Sequence, residues 1–312
     1  MLTNQLKVSI IIPTFNRSVH VAKAIQSVLN QDYFNLEIIV VDDCSTDDTI
    51  IKLSEIRDVR LKLIKLSSNS GPQVSRNVGL REAKGFLIMF LDSDDEFVQG
   101  SILKRIELFE KNQIINVLIV GYWMQILDNL RAIKKAEILK GWRDGNVYNK
   151  MLHTLALSPT STLTVKRKCL LEIGCFDEKL LASQDDDILI RLSKKFDFYF
   201  LHEPLIKINS TNIDRVSTNP YRYAKGYHQV IEKYLQEILL EGGIVLLLKH
   251  YGKIAAFYMR AMSYNNKKNI FNKSTIIQKP IIWLFYIFYL ATYFLKDLLK
   301  NIYYKITYEE IK

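Results

Sequence analysis

Short apolar segments alternate with amphipathic stretches through the first ninety residues. Four segments rich in β-branched residues are too short for helices and are typical of buried parallel strands; they lie at 8–13, 37–41, 60–66 and 86–91. Between them, apolar residues recur every three or four positions, which predicts helices at 18–30, 49–56 and 73–83. Strand–helix alternation of this kind predicts βαβ units and an α/β fold with a parallel sheet.

Mixed helix and strand patterns continue to about residue 220, with a helix expected near 101–111 and a strand near 116–125. After Pro220 the chain becomes helical in pattern and rich in Tyr and Lys. We therefore expect an α/β domain over 1–220 and a helical C-terminal extension over 221–312.

Aspartates follow two of the four predicted strands. Asp42 and Asp43 end the second strand, and Asp92-Ser93-Asp94-Asp95 follows the fourth. Ligands of parallel sheets bind at the carboxyl ends of the strands, and Mg²⁺ or Mn²⁺ takes one or two protein carboxylates there. Asp and Ser also favour plain polar turns after strands, so the D-x-D spacing alone leaves both interpretations open.

Five motifs in order resemble glycosyltransferase family 2, and the resemblance covers roughly residues 7–220. The motifs lie at 8–17, 40–49, 69–79, 90–95 and, as a bipartite acceptor-side motif, 174–191. The resemblance implies the GT-A fold, a Rossmann-like, mostly parallel central sheet flanked by helices. It implies a nucleotide-sugar half over about 1–98 and an acceptor half over about 99–220. The implied reaction transfers a sugar from a nucleotide diphosphate donor, often a uridine one, with inversion at the anomeric carbon.

The resemblance also implies roles on the donor side. The implied nucleotide-sugar-binding residues are Pro13, Thr14, Phe15, Asp43, Asn69, Arg76, Asp92 and Ser93. Phe15 either stacks on uracil, a contact worth about 1–3 kcal/mol, or packs in the core. Arg76 either reaches phosphate or forms an internal salt bridge.

A divalent cation is the expected cofactor. Negative charge builds on the nucleotide diphosphate as the glycosidic bond breaks, and a dication stabilises that charge as a Lewis acid. The resemblance places Asp94 as its ligand, with Asp92 and Asp95 as alternatives. No His pair stands at ligand spacing, so Mn²⁺ or Mg²⁺ is expected rather than zinc.

Inversion requires a base that deprotonates the acceptor hydroxyl on the face opposite the diphosphate. The family's base falls on Asp185, in an acidic run that could otherwise be a solvated helix start. Gln184 stands where the family mostly has Glu, which removes one like charge beside the base. Cys44 and Cys175 stand where the family usually has Gly, and we interpret both as small packing residues.

Many relatives carry a His after the last core strand, near the diphosphate. Residues 206–217 contain none, and the candidates for that contact are Asn209, Arg215 and Ser217.

Net charge separates the two regions. The chain carries +10 from 43 Lys and Arg against 33 Asp and Glu, yet residues 221–312 hold 14 of the former and 6 of the latter. An uncharged aromatic stretch at 281–295 is shorter than the roughly 20 residues of a membrane span. We expect the region of about 244–300 to dock on an anionic membrane surface. A buried helix, a homo-oligomer interface and a true span are the alternatives. No nucleic-acid-reading motif accompanies the charge, so nucleic acid is not an expected partner.

The expected function is an inverting glycosyltransferase of bacterial surface polysaccharide synthesis that uses a UDP-sugar and a glycan or lipid-linked oligosaccharide acceptor. Three cysteines without a CxxC spacing, and no signal-peptide pattern over 1–7, favour a cytoplasmic enzyme peripheral at the inner face of the plasma membrane. A nucleotidyltransferase on a similar fold is an alternative, although residues 13–17 lack the Gly of a phosphate loop. A non-catalytic sugar-nucleotide or membrane-binding module is another, which the four acids Asp43, Asp92, Asp94 and Asp185 argue against.

Overall fold

The computed structural model describes residues 6–126, 133–137, 142–155, 159–209 and 219–267. The alternation expected from the sequence is confirmed over the first ninety residues. Its elements are β1 (Val8–Thr14), α1 (Ser18–Leu29), β2 (Leu36–Asp42), α2 (Thr49–Glu55), β3 (Leu61–Lys65), α3 (Pro72–Glu82) and β4 (Leu87–Phe90).

Burial explains why these segments adopt these structures. Every residue of β1 is buried, which is why the segment is apolar throughout rather than alternating. Helix α1 buries Val21, Ala24, Ile25 and Val28, one face at helical spacing. Helix α3 packs closely on β1, since a Cβ at Gly79 would come within 2.5 Å of the Ile11 side chain.

The chain then continues through further strands and helices. They are β5 (Glu96–Phe97), α4 (Ser101–Lys111), β6 (Val117–Ile126), β7 (Ile133–Glu137), α5 (Tyr148–Thr154), β8 (Leu163–Lys166), α6 (Arg167–Glu172), α7 (Gln184–Ser193) and β9 (Phe198–Asn209). A 3₁₀ turn, Thr160–Thr162, directly precedes β8. The helix expected near 101–111 and the strand expected near 116–125 are both confirmed.

One sheet holds these strands in the order β3-β2-β1-β4-β8-β6-β9-β5, with β7 beside β6. The first four strands are parallel. Strand β8 then enters between β4 and β6, antiparallel to both, whereas β6 and β9 are again parallel. The parallel half is the Rossmann-like part of the α/β fold that the sequence predicted.

The register brings the carboxyl ends of the parallel strands to one edge. Thr14, the last residue of β1, lies opposite Asp42, the last residue of β2, and Asp42 lies opposite Lys65 of β3. Strand β4 ends at Phe90 beside Ile11 of β1. The loops that leave this edge therefore start close together.

The chain divides into two compact units. Most of the chain before residue 214 forms the first, and Leu180–Ser183 with the residues from Asp214 onward form the second. In the second unit, α8 (Pro220–Lys233) packs on α9 (Leu235–Lys267), and α9 is broken at Gly243, where φ is 61°. The phenol of Tyr227 lies 2.8 Å from Nδ1 of His250, and both side chains are buried between these helices.

The helical C-terminal region is thus confirmed as far as residue 267. Among the helices that the structure describes, none is both long and apolar enough to cross a lipid bilayer. The aromatic segment 281–295, for which the sequence favoured docking on a membrane, lies outside the described residues.

Candidate active site

The loops that follow β1 and β2 are held to each other by hydrogen bonds. The amide of Asp43 donates to the Thr14 carbonyl at 2.8 Å. The amide of Asn16 donates to Oγ of Ser45, and its side-chain Oδ1 accepts from the amide of Thr46, both at 2.8 Å. The first two motifs therefore form one joined surface at the sheet edge.

Asp42 and Asp43 have different structural partners. Asp42 is fully buried and accepts hydrogen bonds from the amide and hydroxyl of Ser45, so it caps the turn after β2. Asp43 accepts from the amides of Ser70 and Gly71 at 2.7 and 2.8 Å. Asp43 thereby links the second motif to the third, where Gly71 begins α3 with a φ of 96° that favours glycine.

The remaining donor-side residues lie in or beside these loops. Pro13 and Thr14 are buried at the end of β1, whereas Phe15 is 40% exposed and so is not a core aromatic. Asn69 is exposed in the loop before α3. Stacking of Phe15 and contacts of Asn69 with a nucleotide stay predictions.

The turn after β4 is held in place by hydrogen bonds to Ser161. Oγ of Ser161 accepts a hydrogen bond from the amide of Asp92 at 3.0 Å and donates to Oδ2 of Asp95 at 2.8 Å. The amide of Asp95 also donates to the Asp92 carbonyl at 2.9 Å. Asp95 is buried by these contacts, whereas Asp92, Ser93 and Asp94 are partly exposed.

Two arginines pair with the partly exposed aspartates. Nη2 of Arg76 lies 2.7 Å from Oδ1 of Asp92, and Nη1 of Arg17 lies 3.2 Å from Oδ2 of Asp94. The internal salt bridge that the sequence left open for Arg76 is therefore present. The contact of Arg76 with phosphate stays a prediction.

The carboxylates of this turn have the right chemistry for a hard cation, since Mg²⁺ and Mn²⁺ prefer oxygen ligands. Asp92 and Asp94 are the partly exposed candidates to hold one, with side chains 31% and 9% exposed, whereas Asp95 is turned inward to Ser161. Within the described residues, no cluster of three or more His, Cys, Asp or Glu side chains is arranged around a common metal position. The remaining ligands of such an ion would then be phosphate and water.

Asp185 lies in the first turn of α7, partly buried. Oγ1 of Thr160 donates a hydrogen bond to Oδ1 of Asp185 at 2.6 Å. Burial raises the pKa of Asp185; Arg76 lowers it and Asp92 raises it again, and the net direction is upward. This raised pKa is closer to the pKa that an effective general base needs at neutral pH.

Arg76 belongs to the same electrostatic group. Burial alone would lower the pKa of Arg76, but the carboxylates of Asp92, Asp185 and Asp95 outweigh burial and raise it. The cation is thus held charged between the donor-side turn and the first turn of α7. The structure brings these sequence-predicted residues together in the first unit.

The neighbours of Asp185 on α7 have structural partners. Nε2 of Gln184 donates to Oε1 of Gln73 at 3.2 Å, so the neutral amide that replaces the family's Glu connects α7 to α3. Asp187 is buried and accepts from Nε and Nη2 of Arg191 at 2.9 and 2.6 Å.

Cys44 and Cys175 have φ angles of 66° and 61°, in the left-handed region. An L-residue with a Cβ is strained there, whereas glycine is not. The backbone at both cysteines is therefore of the kind that glycine adopts without strain, a feature separate from the packing role that the sequence predicted.

Sequence reasoning missed Thr160, Ser161 and Asn16, all of which hold site residues in place. The available signal was the polar run 159–162, directly before the apolar segment that forms β8. Of the residues suggested near the diphosphate, Asn209 ends β9, while Arg215 and Ser217 lie outside the described residues.

The chain is similar to known proteins in sequence and in fold. The sequence profile of the family described as Glycosyl transferase family 2 matches residues 9–168. A relative from Campylobacter jejuni, named GalNAc(5)-diNAcBac-PP-undecaprenol beta-1,3-glucosyltransferase, is 30% identical over 84% of this chain and 83% of its own length. An uncharacterized glycosyltransferase of Rickettsia felis is 30% identical over 88% of this chain but only 45% of its own length. The chain spans less than half the length of the first curated relatives that it matches.

Among solved structures, the TarS 1–349 fragment of S. aureus, crystallised with UDP-GlcNAc, superposes with a TM-score of 0.61. The match covers 83% of this chain and 73% of that fragment at 21% identity. This likeness shows the fold.

Proposed function

Because the chain belongs to glycosyltransferase family 2, we propose that it is an inverting glycosyltransferase that transfers a sugar from a UDP-sugar to a hydroxyl of a glycan or lipid-linked acceptor. The observation that carries the proposal is the grouping of Arg76 with Asp92 and Asp185. This grouping places a donor-side acid and an acceptor-side acid near the buried guanidinium of Arg76. Bacterial surface polysaccharide synthesis is the proposed setting, supported by the undecaprenol-linked acceptor in the Campylobacter relative's name.

The donor nucleotide would bind at the edge formed by the loops after β1, β2 and β3. The loop of Pro13, Thr14 and Phe15 would wrap the base, with the exposed ring of Phe15 available for stacking. Asp43 would accept a hydrogen bond from the base ring. Its two hydrogen bonds to the 70–71 backbone hold it in place and leave each carboxylate oxygen a second lone pair. Asn69 and Ser93 would contact the nucleotide sugar at the rim.

Asp94, with Asp92, would hold Mn²⁺ or Mg²⁺. The ion supplies Lewis-acid stabilisation of the departing diphosphate when it is bound. Asp92 would also contact the ribose or donor sugar, held there by Arg76 and by its backbone bond to Ser161. Arg76, charged and buried beside Asp92, adds positive charge near the place where the leaving group develops its negative charge.

Asp185 would act as the general base. Its carboxylate takes the proton from the acceptor hydroxyl as the oxygen attacks the anomeric carbon, and attack opposite the diphosphate inverts the configuration. The Thr160 hydroxyl donates to Oδ1 and holds the carboxylate in place for this transfer.

The second unit would place the enzyme at the cytoplasmic face of the plasma membrane. Around the break in α9, Leu240, Ile244 and Val245 are 88%, 60% and 70% exposed. Exposed apolar side chains in a region of net positive charge are typical of peripheral membrane association. A homo-oligomer interface is the alternative use of these side chains.

A donor screen tests the proposal. We expect UDP and UDP-sugars with Mn²⁺ to raise the melting temperature more than GDP- or CMP-sugars do, and at least one UDP-sugar to be cleaved to UDP. If no UDP-sugar either stabilises the protein or releases UDP, the proposal is wrong.

A further inference from the structure

The 160–162 turn (Thr160, Ser161 and Thr162) connects both sides of the proposed site. All three side chains are buried. The turn directly precedes β8, and β8 pairs with β4, the strand that leads into the Asp92–Asp95 turn. Because β4 and β8 are antiparallel, the turn before β8 lies next to the end of β4.

The hydroxyls of Thr160 and Ser161 contact different halves of the site. Thr160 donates to the carboxylate of Asp185 at 2.6 Å. Ser161 accepts from the backbone of Asp92 and donates to the carboxylate of Asp95. Adjacent residues thus contact the proposed base and the donor-side acids.

A buried arginine supports the turn from behind. Nη1 of Arg105, on α4, donates at 3.4 Å to the Ser161 carbonyl and to Oγ1 of Thr164. The guanidinium carbon lies 4.7 Å from the centroid of the Phe97 ring. Fixed contacts on both sides leave the turn little freedom to move.

We propose that Thr160 and Ser161 are positioning residues: Thr160 orients the Asp185 carboxylate towards the acceptor hydroxyl, and Ser161 holds Asp92 and Asp95 in the donor-side turn. This role rests on the proposed function. The hydrogen bond from the Thr160 hydroxyl to Oδ1 restricts rotation of the carboxylate, and such restriction lets the carboxylate meet the acceptor hydroxyl at a productive angle.

Thr160 also affects the protonation of Asp185. The charged groups that act on this carboxylate are Arg76 on α3 and Asp92 after β4, with Asp186 and Asp187 next along α7. A donated hydrogen bond favours the ionised form, so removing it raises the pKa of Asp185 further. Loss of Thr160 should therefore move the acid limb of the rate profile to higher pH, whereas general loosening of the fold would not.

The test compares Thr160→Val, Thr160→Ala and Thr160→Ser by UDP release from UDP-glucose and UDP-GlcNAc, over a range of pH. We expect the Val and Ala variants to lower kcat about 10-fold or more, with donor KM within about twofold and an acid limb at higher pH. Thr160→Ser keeps the hydroxyl and should stay within about threefold of wild type. Using Val and Ala together keeps the test open if one of them does not fold.

Thr162→Val is the matched control, because Oγ1 of Thr162 donates to the Pro159 carbonyl and not to a carboxylate. It should alter the melting temperature without moving the pH profile. Ser161→Ala should instead raise donor KM about fivefold, since one bond to Asp92 is lost.

If wild type is active and both Thr160→Val and Thr160→Ala keep its kcat and pH profile, the positioning role is wrong while the proposed function stands. The same holds if Thr160→Ser loses as much kcat as the Val and Ala variants do. A wild type that no UDP-sugar stabilises and that releases UDP from none contradicts the proposed function, and the positioning role fails with it.

Discussion

The side-chain amide of Asn77, on α3, is hydrogen-bonded at both of its ends to the backbone of Phe176. Nδ2 donates to the Phe176 carbonyl and Oδ1 accepts from its amide, each at 2.9 Å, and Nδ2 also contacts Oε1 of Glu178 at 2.8 Å. The ring of Phe176 packs edge-on against Phe90 of β4. Helix α3, which carries most of the third motif, is thereby joined to the segment that leads to α7 and Asp185.

Replacing Asn77 should weaken the contact between α3 and the segment that contains Phe176. Asn77→Ala leaves two buried backbone groups of Phe176 without their partners, so we expect a loss of about 2–4 kcal/mol in the free energy of unfolding. Urea unfolding measures it. Asn146→Ala is the control, because Asn146 is exposed and makes one comparable bond, to the amide of Tyr148. Equal effects of the two substitutions would show that the Asn77 bonds do not stabilise the fold.

Asp185→Asn should raise stability at neutral pH. The pKa of Asp185 is raised in the folded state, mainly by burial. Folding therefore binds its proton more tightly, and the associated stability, full below the unfolded pKa, is lost as pH rises through the folded pKa. Asn removes the buried charge and still accepts the Thr160 hydrogen bond, so we expect a melting temperature about 1–3 °C higher at pH 7.5. The gain should vanish near pH 4, in contrast to a packing effect, which would persist at both pH values.

The pair between Arg17 and Asp94 should weaken metal binding. A cation at Asp94 must replace Arg17 as the partner of that carboxylate. We expect Arg17→Gln to lower the Kd for Mn²⁺, measured by titration in the presence of UDP, about threefold or more. Asp94→Asn should abolish the binding. Arg60→Gln breaks an equivalent pair with Asp58 at 2.8 Å and should leave it unchanged. Mn²⁺ affinity that ignores Arg17 and Asp94 alike would place the metal elsewhere.

The left-handed backbone at Cys175 should determine which residues it accepts. We expect Cys175→Gly to equal or exceed wild type in melting temperature, and Cys175→Val to be destabilised by about 1–2 kcal/mol, because a β-branched residue resists positive φ. At Cys169, buried within helix α6, glycine should instead be destabilising by about 1 kcal/mol or more. Calorimetry of the three variants checks the opposite signs.

The exposed apolar side chains around Gly243 should support membrane association. We expect a variant with Leu240→Ser and Ile244→Ser to pellet less with vesicles containing phosphatidylglycerol than wild type does, at an unchanged melting temperature. Val59→Ser is the control, since Val59 is fully exposed in a loop of the first unit. Pelleting that is the same for all three proteins would argue against docking through these side chains.

Local pattern was sufficient for the first half of the sheet. Strand β1 is buried on both faces, so its sequence is apolar throughout. Helix α1 is buried on one face, so apolar residues recur in it every three or four positions. Arg105 was also detectable in principle, because it shares a helix face with Ile102, Ile106 and Phe109.

Other features depend on contacts between distant segments. Strand β8 pairs with β4 across more than seventy residues, and nothing within either segment specifies that partner or its direction. The aspartate at 185 could be found from its motif. Its hydrogen bond to Thr160, and the burial and nearby Asp92 that raise its pKa, arise only from contacts with segments distant in the sequence.

The most direct measurement compares Asp185→Asn with Asp186→Asn, the neighbouring acid on the same turn, for sugar transfer from a UDP-sugar that wild type uses. We predict that Asp185→Asn lowers the transfer rate about 10²–10⁴-fold, while the Kd for UDP stays within about twofold because the donor side is intact. Asp186→Asn should keep transfer within about fivefold of wild type, since it does not hold the proton. Transfer by Asp185→Asn at the wild-type rate would contradict the assignment of Asp185 as the base.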